Sequence, residues 1–331
     1  MQGRIFLHAR ARFPACKDAC AANIDRLTRQ FKRTASSTMR VLITIPHYFQ
    51  SARQTGQSRA RHASQSGDAE SRVQALTSSI LSLHQLFGAE QSILQIAERL
   101  TKPANQPSRA EVHIVLCTVA DEHLLKQLPV DRSLYHHYVS DLEPMMLGFQ
   151  CHSVLRDRWG NYDYYGYGYL EDDLTLHDPW LFAKLAWFNH WVGQDKVLQP
   201  NRFERRSVPR DQKVYIDGDL VSGATSRFQN VQDKPQLGSQ VMGVPVVFRR
   251  TLNPHSGCFF LNAHQLQHWI NQPHFLDRDT SFVGPLESAA TLGVMRTFKI
   301  YKPVPENANF LEIEHLGRGF SRLIRYVNEA P

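Results

Sequence analysis

Apolar and polar positions follow two different repeats in the first part of the chain. Residues 40–49 form a nearly continuous apolar run, which predicts a buried strand. From Val73 to Phe87, apolar residues recur every three or four positions, which predicts a helix with one buried face. A second helical segment is predicted over 90–100 and another strand over 111–119. The order strand, helix, helix, strand is typical of a parallel α/β sheet.

The middle of the chain carries aromatic residues that lead directly into three acids. A helix is predicted over 141–158, and the aromatic run that begins at Tyr162 has the composition of a strand. The three acids Glu171–Asp173, called here the acid triplet, stand where this strand would end. Asp178 and Pro179 suit the N-cap and first position of a following helix. The acid triplet is therefore predicted to lie in a loop between a strand and a helix.

The remaining segments alternate strands, short helices and polar stretches. Residues 51–69 predict a loop, and residues 204–240 predict an irregular lobe interrupted by one strand. The predicted strands are 196–199, 213–216, 244–248, 257–261 and 297–302, and the predicted helices are 262–270, capped by Asn262, and 284–292, opened by Gly284 and Pro285.

The positive charge of the chain is concentrated at its start. The 331 residues carry a net charge of +7 and are 42% hydrophobic, which is typical of a globular protein of one or two domains. Residues 1–38 hold eight Lys and Arg against two Asp, a charge of +6, so residues 39–331 contribute 7 − 6 = +1. A nearly neutral globular part has no basic stripe to follow phosphates, which argues against nucleic acid as a partner.

Residues 1–38 admit three interpretations. They could be a targeting or membrane-surface arm, with possible peripheral contact to anionic lipid, or a disordered basic extension. Alternatively Met39 could be the true start, because a strand follows it at once.

The cysteines and the hydropathy pattern indicate a cytoplasmic protein; the alternative is a cytoplasmic protein attached peripherally to a membrane. The five cysteines are scattered and odd in number, as expected of reduced thiols. No uninterrupted apolar stretch approaches the roughly 18 to 20 residues that span a bilayer.

The acid triplet is the strongest chemical signal. Ligands of α/β proteins gather at the carboxyl ends of strands, and three adjacent carboxylates repel one another there. A divalent cation with oxygen ligands relieves this repulsion and attracts phosphate. The hypothesis is a metal–diphosphate site holding Mn²⁺ or Mg²⁺; the alternative is a loop or helix-capping cluster of acids.

The order of these elements resembles that of the GT-A fold glycosyltransferases. The resemblance rests on the first apolar strand, the acid triplet in the sequence Leu-Glu-Asp-Asp-Leu, the later strand and helix, and a late histidine, and it spans most of residues 40–317. It implies a mixed α/β fold with a mostly parallel central sheet and flanking helices. In that superfamily a D-x-D motif binds the metal on the diphosphate of a nucleotide-sugar donor. Here Glu171 occupies the place of the first Asp.

Carried over to this sequence, the resemblance implies a role for each member of the triplet. Asp173 would be the direct metal ligand, and His315 would complete the metal shell. Glu171 would bind the ribose or, through water, the metal. Asp172 belongs to the same donor-binding motif, although alternation along an extended chain could turn its side chain into the scaffold.

The resemblance also implies a donor half over 39–175 and an acceptor half over 176–331 of a single catalytic domain. Glu287 would be the general base for the acceptor hydroxyl if the enzyme inverts configuration; the alternative is ordinary helix capping. The other expected contacts are Pro46 and Tyr48 beside the nucleotide base, Arg53, Arg59 and Arg61 beside the diphosphate or in solvent, and Asn253, His255, Ser256 and Gly257 on the acceptor side.

The expected reaction moves a sugar from a nucleotide-diphosphate donor to a hydroxyl of a carbohydrate or glycan-intermediate acceptor. Two other interpretations stay open. One is a metal-dependent phosphohydrolase or nucleotidyltransferase, and the other is a carbohydrate-binding protein without catalysis.

Overall fold

A computed structural model describes residues 39–50, 68–160, 164–207, 211–221, 223–317 and 319–324. The predictions for residues 1–38, for Tyr162, and for Arg53, Arg59 and Arg61 with most of their loop lie outside the described residues. The strands are β1 Met39–Pro46, β2 Ser92–Gln95, β3 Leu100–Pro103, β4 Ala110–Val119, β5 His136–Ser140, β6 Gly166–Leu170, β7 Leu174–Thr175, β8 Lys196–Leu198, β9 Asn201–Arg205, β10 Lys213–Tyr215, β11 Gln236–Val241, β12 Val244–Arg250, β13 Cys258–Asn262, β14 Lys299–Pro303 and β15 Glu312–His315. The helices are α1 Ala69–Phe87, α2 Leu147–Arg158, α3 Leu181–Val192, α4 Ala263–Ile270 and α5 Pro285–Thr297.

The fold is mixed α/β, as the sequence predicts, and its central sheet has five strands in the order β13-β6-β1-β4-β5. β1 runs parallel to β6, with Val41 opposite Gly166, and β4 runs parallel to β5. β13 is antiparallel to β6. Burial on both faces explains why β1 and β6 read as apolar or aromatic runs rather than alternating ones. The carboxyl ends of β1 and β6 therefore lie side by side.

Two four-stranded sheets and one hairpin complete the strand structure of the described residues. The first sheet has the order β10-β9-β15-β7, the second has the order β11-β12-β14-β8, and β2 pairs with β3. β15 is antiparallel to β7 and parallel to β9, so the late segment that contains His315 returns beside the acid triplet. Within the described residues, no helix has the length and apolar content needed to cross a bilayer.

Aromatic side chains fill the core between the central sheet and the helices α2, α4 and α5. Tyr169 of β6 and Phe259 of β13 stack with ring centroids 5.5 Å apart, and Trp269 of α4 meets Phe259 edge-on. His152 of α2 is enclosed by these rings and bonds to the carbonyl of Ala289. Burial lowers the pKa of His152 to about 4, so this histidine is a neutral part of the core.

Two sequence predictions about secondary structure are wrong. Residues 90–100 do not form a helix; they belong to the hairpin of β2 and β3, whose turn includes Arg99 at a left-handed φ of 55°. An apolar pattern this short fits either period. The irregular lobe predicted over 204–240 is shorter than expected, because β9 extends to Arg205 and β11 begins at Gln236.

Other elements are confirmed with shifted ends. The helix predicted from residue 141 begins at Leu147, after a 3₁₀ turn at Pro144–Met146. Asp178 accepts a hydrogen bond from the Trp180 backbone N–H, but helix α3 starts only at Leu181. Asn262 caps α4 through a reciprocal capping box with Gln265, as its position before the apolar repeat predicts.

Candidate functional site

A cavity of about 290 Å³ opens at the carboxyl ends of β1 and β6. It gathers nine of the eleven described residues that the sequence assigns to a site: Pro46, Tyr48, Glu171, Asp172, Asp173, Asn253, His255, Glu287 and His315. Ser256 and Gly257 do not line it. A larger cavity of about 580 Å³ lies elsewhere, and the carboxylate on its wall, Asp219, is paired with Arg249. The smaller cavity is the candidate site because it contains the carboxylates that lack partners.

The acid triplet forms the turn between β6 and β7. The Glu171 backbone N–H donates to the carbonyl of Gly257, and the Glu171 carbonyl accepts from Leu174. The Asp173 carbonyl accepts from the Leu316 backbone N–H, which ties the late segment to the turn. Backbone hydrogen bonds therefore fix the turn, and each of the three carboxylates has a different environment.

Asp172 is held by the scaffold. The Arg72 guanidinium of α1 donates to its carboxylate, and His47 Nδ1 donates to it at 2.6 Å. Because His47 Nε2 accepts from the Leu124 backbone N–H, the imidazole proton lies on Nδ1. Asp172 lines the cavity, but its charge is already matched, in agreement with the expectation that its side chain turns into the scaffold.

Asp173 has one oxygen engaged and one without a partner. Its Oδ2 lies 3.5 Å from His315 Nε2 and 3.6 Å from Arg72 Nη1, whereas its Oδ1 is buried and has no hydrogen-bond partner. Burial alone would raise the pKa of Asp173, but His315, Arg72 and Arg202 hold that pKa well below its usual value. Asp173 is therefore an ionised group with an unused oxygen.

Glu171 has the least favourable environment for a negative charge among the three acids of the triplet. It is 7% exposed, its Oε1 has no hydrogen-bond partner, and the nearest histidine, His255, lies 3.9 Å from that oxygen. Burial and the charge of Asp173 raise the pKa of Glu171 to about 8. The carboxyl therefore holds its proton near neutral pH unless a cation or a hydrogen-bond donor arrives.

His315 is oriented by a carboxylate that the sequence analysis missed. Its Nδ1 donates to Glu204 of β9 at 3.0 Å, so its Nε2 is directed to Asp173. Burial opposes the charge on His315, but Asp173 and Glu204 raise the pKa of this imidazole to about 10. Glu204 is fully buried and also accepts from the Phe320 and Ser321 backbone N–H groups.

A second residue that the sequence analysis missed is Arg202, whose cationic side chain lines the cavity. Its Nε and its backbone N–H both donate to Asp217, and its guanidinium lies 5.4 Å from the centre of the Phe320 ring. Lys302 also donates to Asp217, at 2.8 Å. Asp217 therefore fixes the Arg202 side chain at the cavity, within electrostatic reach of Glu171 and Asp173.

The sequence offered little signal for these partners. Arg72, Glu204 and Asp217 stand among ordinary polar residues. Their relation to the acid triplet or to Arg202 arises only from folding.

The predicted donor side keeps Pro46 and Tyr48 on the cavity wall. Tyr48 donates its hydroxyl to Gln50 Oε1 at 3.1 Å. Burial and the nearby Glu122 raise the pKa of Tyr48 to about 12, so the ring is a neutral surface. Such a ring at the end of β1 can pack against a planar group.

The predicted acceptor side separates into two sets. Asn253 and His255 line the cavity, although His255 Nδ1 is bonded to Thr291 and Asn253 Nδ2 donates to the Gly218 carbonyl. Ser256 donates to the Pro200 carbonyl and is fully buried. Gly257 has a φ of +62°, and a Cβ there would lie 2.6 Å from Glu171 Oε2. Gly257 thus makes room for the Glu171 side chain rather than for a sugar.

Glu287 lies in the first turn of α5 and lines the cavity. Gly284 and Pro285 start this helix, as their sequence predicts. The Glu287 Oε2 is buried and has no hydrogen-bond partner, and the residue is close enough to Glu171 to raise its pKa. A carboxylate with a free oxygen can accept a proton from a bound hydroxyl.

The acid triplet and His315 supply the donor atoms that bear on the predicted metal site. Across the described residues, no group of three or more His, Cys, Asp and Glu side chains is already arranged around a metal position. Glu171 Oε1 and Asp173 Oδ1 are buried without hydrogen-bond partners, and carboxylate oxygens of this kind suit a divalent cation. His315 Nε2 stands beside Asp173 and would become a ligand only on losing its proton.

Comparison of the sequence with protein-family models and with curated proteins found no match.

Proposed function

We propose that this protein is a metal-dependent glycosyltransferase with a GT-A-like domain, acting on a nucleotide-diphosphate sugar and an acceptor hydroxyl. The observation that carries the proposal is the turn at the end of β6, where Glu171 and Asp173 each keep one buried oxygen without a partner. Most buried polar atoms in proteins are paired, so unpaired carboxylates in a cavity point to a missing cation or donor.

The donor would occupy the side of the cavity formed by the ends of β1 and β6. The Tyr48 ring would contact the base, and Glu171 would accept a hydrogen bond from the ribose. Asp173 and His315 would hold Mn²⁺ or Mg²⁺, which, when bound, supplies positive charge for the diphosphate. Arg202, fixed by Asp217, would donate to phosphate oxygens and stabilise charge on the leaving diphosphate.

The acceptor would enter between this wall and α5. Glu287 would take the proton of the acceptor hydroxyl, a role that applies to a reaction with inversion. Asn253 and His255 would orient the acceptor through their remaining polar atoms. We place the enzyme in the cytoplasm, which agrees with the buried free thiols of Cys117, Cys151 and Cys258.

Thermal unfolding in the presence of nucleotide sugars tests the proposal. UDP- and GDP-sugars should raise the midpoint when Mn²⁺ is present and much less in EDTA, because only the native state binds donor and metal together. The Asp173→Asn variant should lose this metal-linked shift. Asp277→Asn is the matched control, since Asp277 is half-exposed and paired with Arg296 outside the cavity.

Two further measurements, of phosphate release and of glycan binding, separate the alternatives. Phosphate release from a monoester without sugar transfer would favour a phosphohydrolase. A glycan-dependent shift with no response to nucleotide or metal would favour a carbohydrate-binding protein. Either result would replace the glycosyltransferase proposal.

A further inference from the structure

The hairpin of β2 and β3 exposes four large apolar side chains in a short stretch of chain. Ile93 is 55% exposed, Leu94 53%, Ile96 77% and Leu100 61%. The register pairs Ile93 with Lys102 and Gln95 with Leu100 on one face, and Leu94 with Thr101 on the other. Ile96 lies in the connecting turn. Apolar groups therefore occur on both faces and at the tip.

The base of this hairpin is firmly attached. Ala104 donates its backbone N–H to the Gln91 carbonyl, and Asn105 donates its side-chain amide to Gln91 Oε1. Arg109 donates to the Ala89 carbonyl, and Gly88 forms a β-bridge with Ala110. The hairpin is thus an anchored projection, whereas an isolated two-stranded sheet has little stability in water by itself.

The hairpin lies away from the candidate site. It joins β4 at Ala110, while the carboxyl end of β4 meets the end of β1, where the Cys117 carbonyl accepts from the His47 backbone N–H. A partner at the hairpin would therefore contact the end of the sheet opposite the cavity. Binding there would leave the cavity open to its substrates.

We propose that the β2–β3 hairpin inserts its exposed apolar side chains into the surface of an anionic lipid bilayer. A flat protein surface would cover only one face of the hairpin, whereas the interfacial layer of a membrane surrounds both faces and the tip.

Most of the charge needed for this contact comes from outside the hairpin. Residues 92–103 contain Arg99 and Lys102 against Glu98, a charge of 2 − 1 = +1, so the hairpin supplies mainly apolar contact. Residues 1–38 carry a charge of +6, which attracts the chain to acidic headgroups. Two weak signals of different kinds together give stable membrane attachment.

Co-sedimentation of the full chain with vesicles tests this proposal. The protein should sediment with phosphatidylcholine–phosphatidylserine vesicles and much less with phosphatidylcholine alone, and high salt should weaken the binding. A fourfold variant should bind the mixed vesicles about tenfold more weakly or worse. Its substitutions are Ile93→Ser, Leu94→Ser, Ile96→Ser and Leu100→Ser. The single substitution Ile96→Glu should also weaken binding and removes any doubt about folding of the fourfold variant.

The second hairpin supplies the matched control. Met242 and Val244 lie at the connection of β11 and β12 and are 96% and 59% exposed, so Met242→Ser with Val244→Ser removes comparable apolar surface elsewhere. This control should bind vesicles like the original chain.

Three results would overturn the proposal. The first is that the original chain does not bind vesicles. The second is that the Ile96→Glu and fourfold variants bind vesicles as strongly as the original chain does. The third is that the original chain forms a dimer without lipid, that the hairpin variants are monomers, and that neither binds vesicles. The last result would identify a second copy as the partner. None of these results depends on glycosyl transfer, so the membrane and enzyme proposals fail separately.

Discussion

Asp217 and the acid triplet both lie near Arg202, but their carboxylates differ in how completely they are paired. Asp217 and Glu171 are both 7% exposed. Asp217 accepts from Arg202 Nε, from the Arg202 backbone and from Lys302, so both of its oxygens are paired. Glu171 Oε1 has no hydrogen-bond partner. Equal burial thus accompanies complete pairing in one cluster and a missing partner in the other.

This difference in pairing distinguishes Asp217, an acid with a structural role, from Glu171, an acid that the fold leaves without a hydrogen-bond donor at one oxygen. Burial would raise both pKa values, but Lys302 and Arg202 lower the pKa of Asp217 to about 2, whereas burial and Asp173 raise that of Glu171 to about 8. An ionised, fully bonded Asp217 stabilises the fold and fixes Arg202. An unpaired Glu171 costs stability until something binds to it.

The largest effect is expected from breaking the paired cluster. Asp217→Ala leaves the buried Arg202 and Lys302 without their shared anion and should cost about 3–5 kcal/mol in the free energy of unfolding. Urea unfolding followed by circular dichroism measures this loss. A loss close to that of the half-exposed control Asp277→Ala would contradict a structural role for Asp217.

A smaller effect, on activity and not on the free energy of unfolding, is expected at the acid triplet. Under the proposed function, Asp173→Asn should reduce metal-dependent transfer by about 100- to 1,000-fold, because Asp173 is proposed to hold the metal that stabilises charge in the transition state. Its circular dichroism spectrum should stay that of the native protein. Turnover within a few-fold of the original chain would remove Asp173 from the metal site.

The smallest effect is a pH-dependent gain in stability from Glu171→Gln. The folded pKa of Glu171 is raised, so ionisation of this group costs stability progressively as pH rises from its usual 4.5 to about 8. In EDTA, the variant should therefore be more stable than the original chain at pH 8 and should match it below pH 4.5.

Urea unfolding across this pH range tests that expectation. A gain that does not change with pH would show that Glu171 is not the titrating group. Asp217 has the opposite sign: its pKa is lowered, so its contribution is present above its usual 3.8 and is lost as pH falls toward 2.

Sequence patterns predicted much of the fold and the candidate site because those features are local. The apolar run of β1, the repeat of α1 and the cap at Asn262 express preferences of neighbouring residues. The hairpin at residues 92–103 was mistaken for a helix, since four large apolar residues in eight fit both periods and neither face is buried. Without a buried face, the pattern carries no record of which period is real.

By itself, the sequence determined that three carboxylates follow a buried strand and that a late histidine exists to meet them. Tertiary structure decided which carboxylate is free. Arg72 is 100 residues from Asp172, and Glu204 is 111 residues from His315, so no local pattern could indicate either pair. Chain topology brings them together, and the distribution of these partners leaves Glu171 and Asp173 with unpaired oxygens. The sequence shows which side chains can carry a charge. The ion pairs and hydrogen bonds that each charge makes depend on every element packed against it.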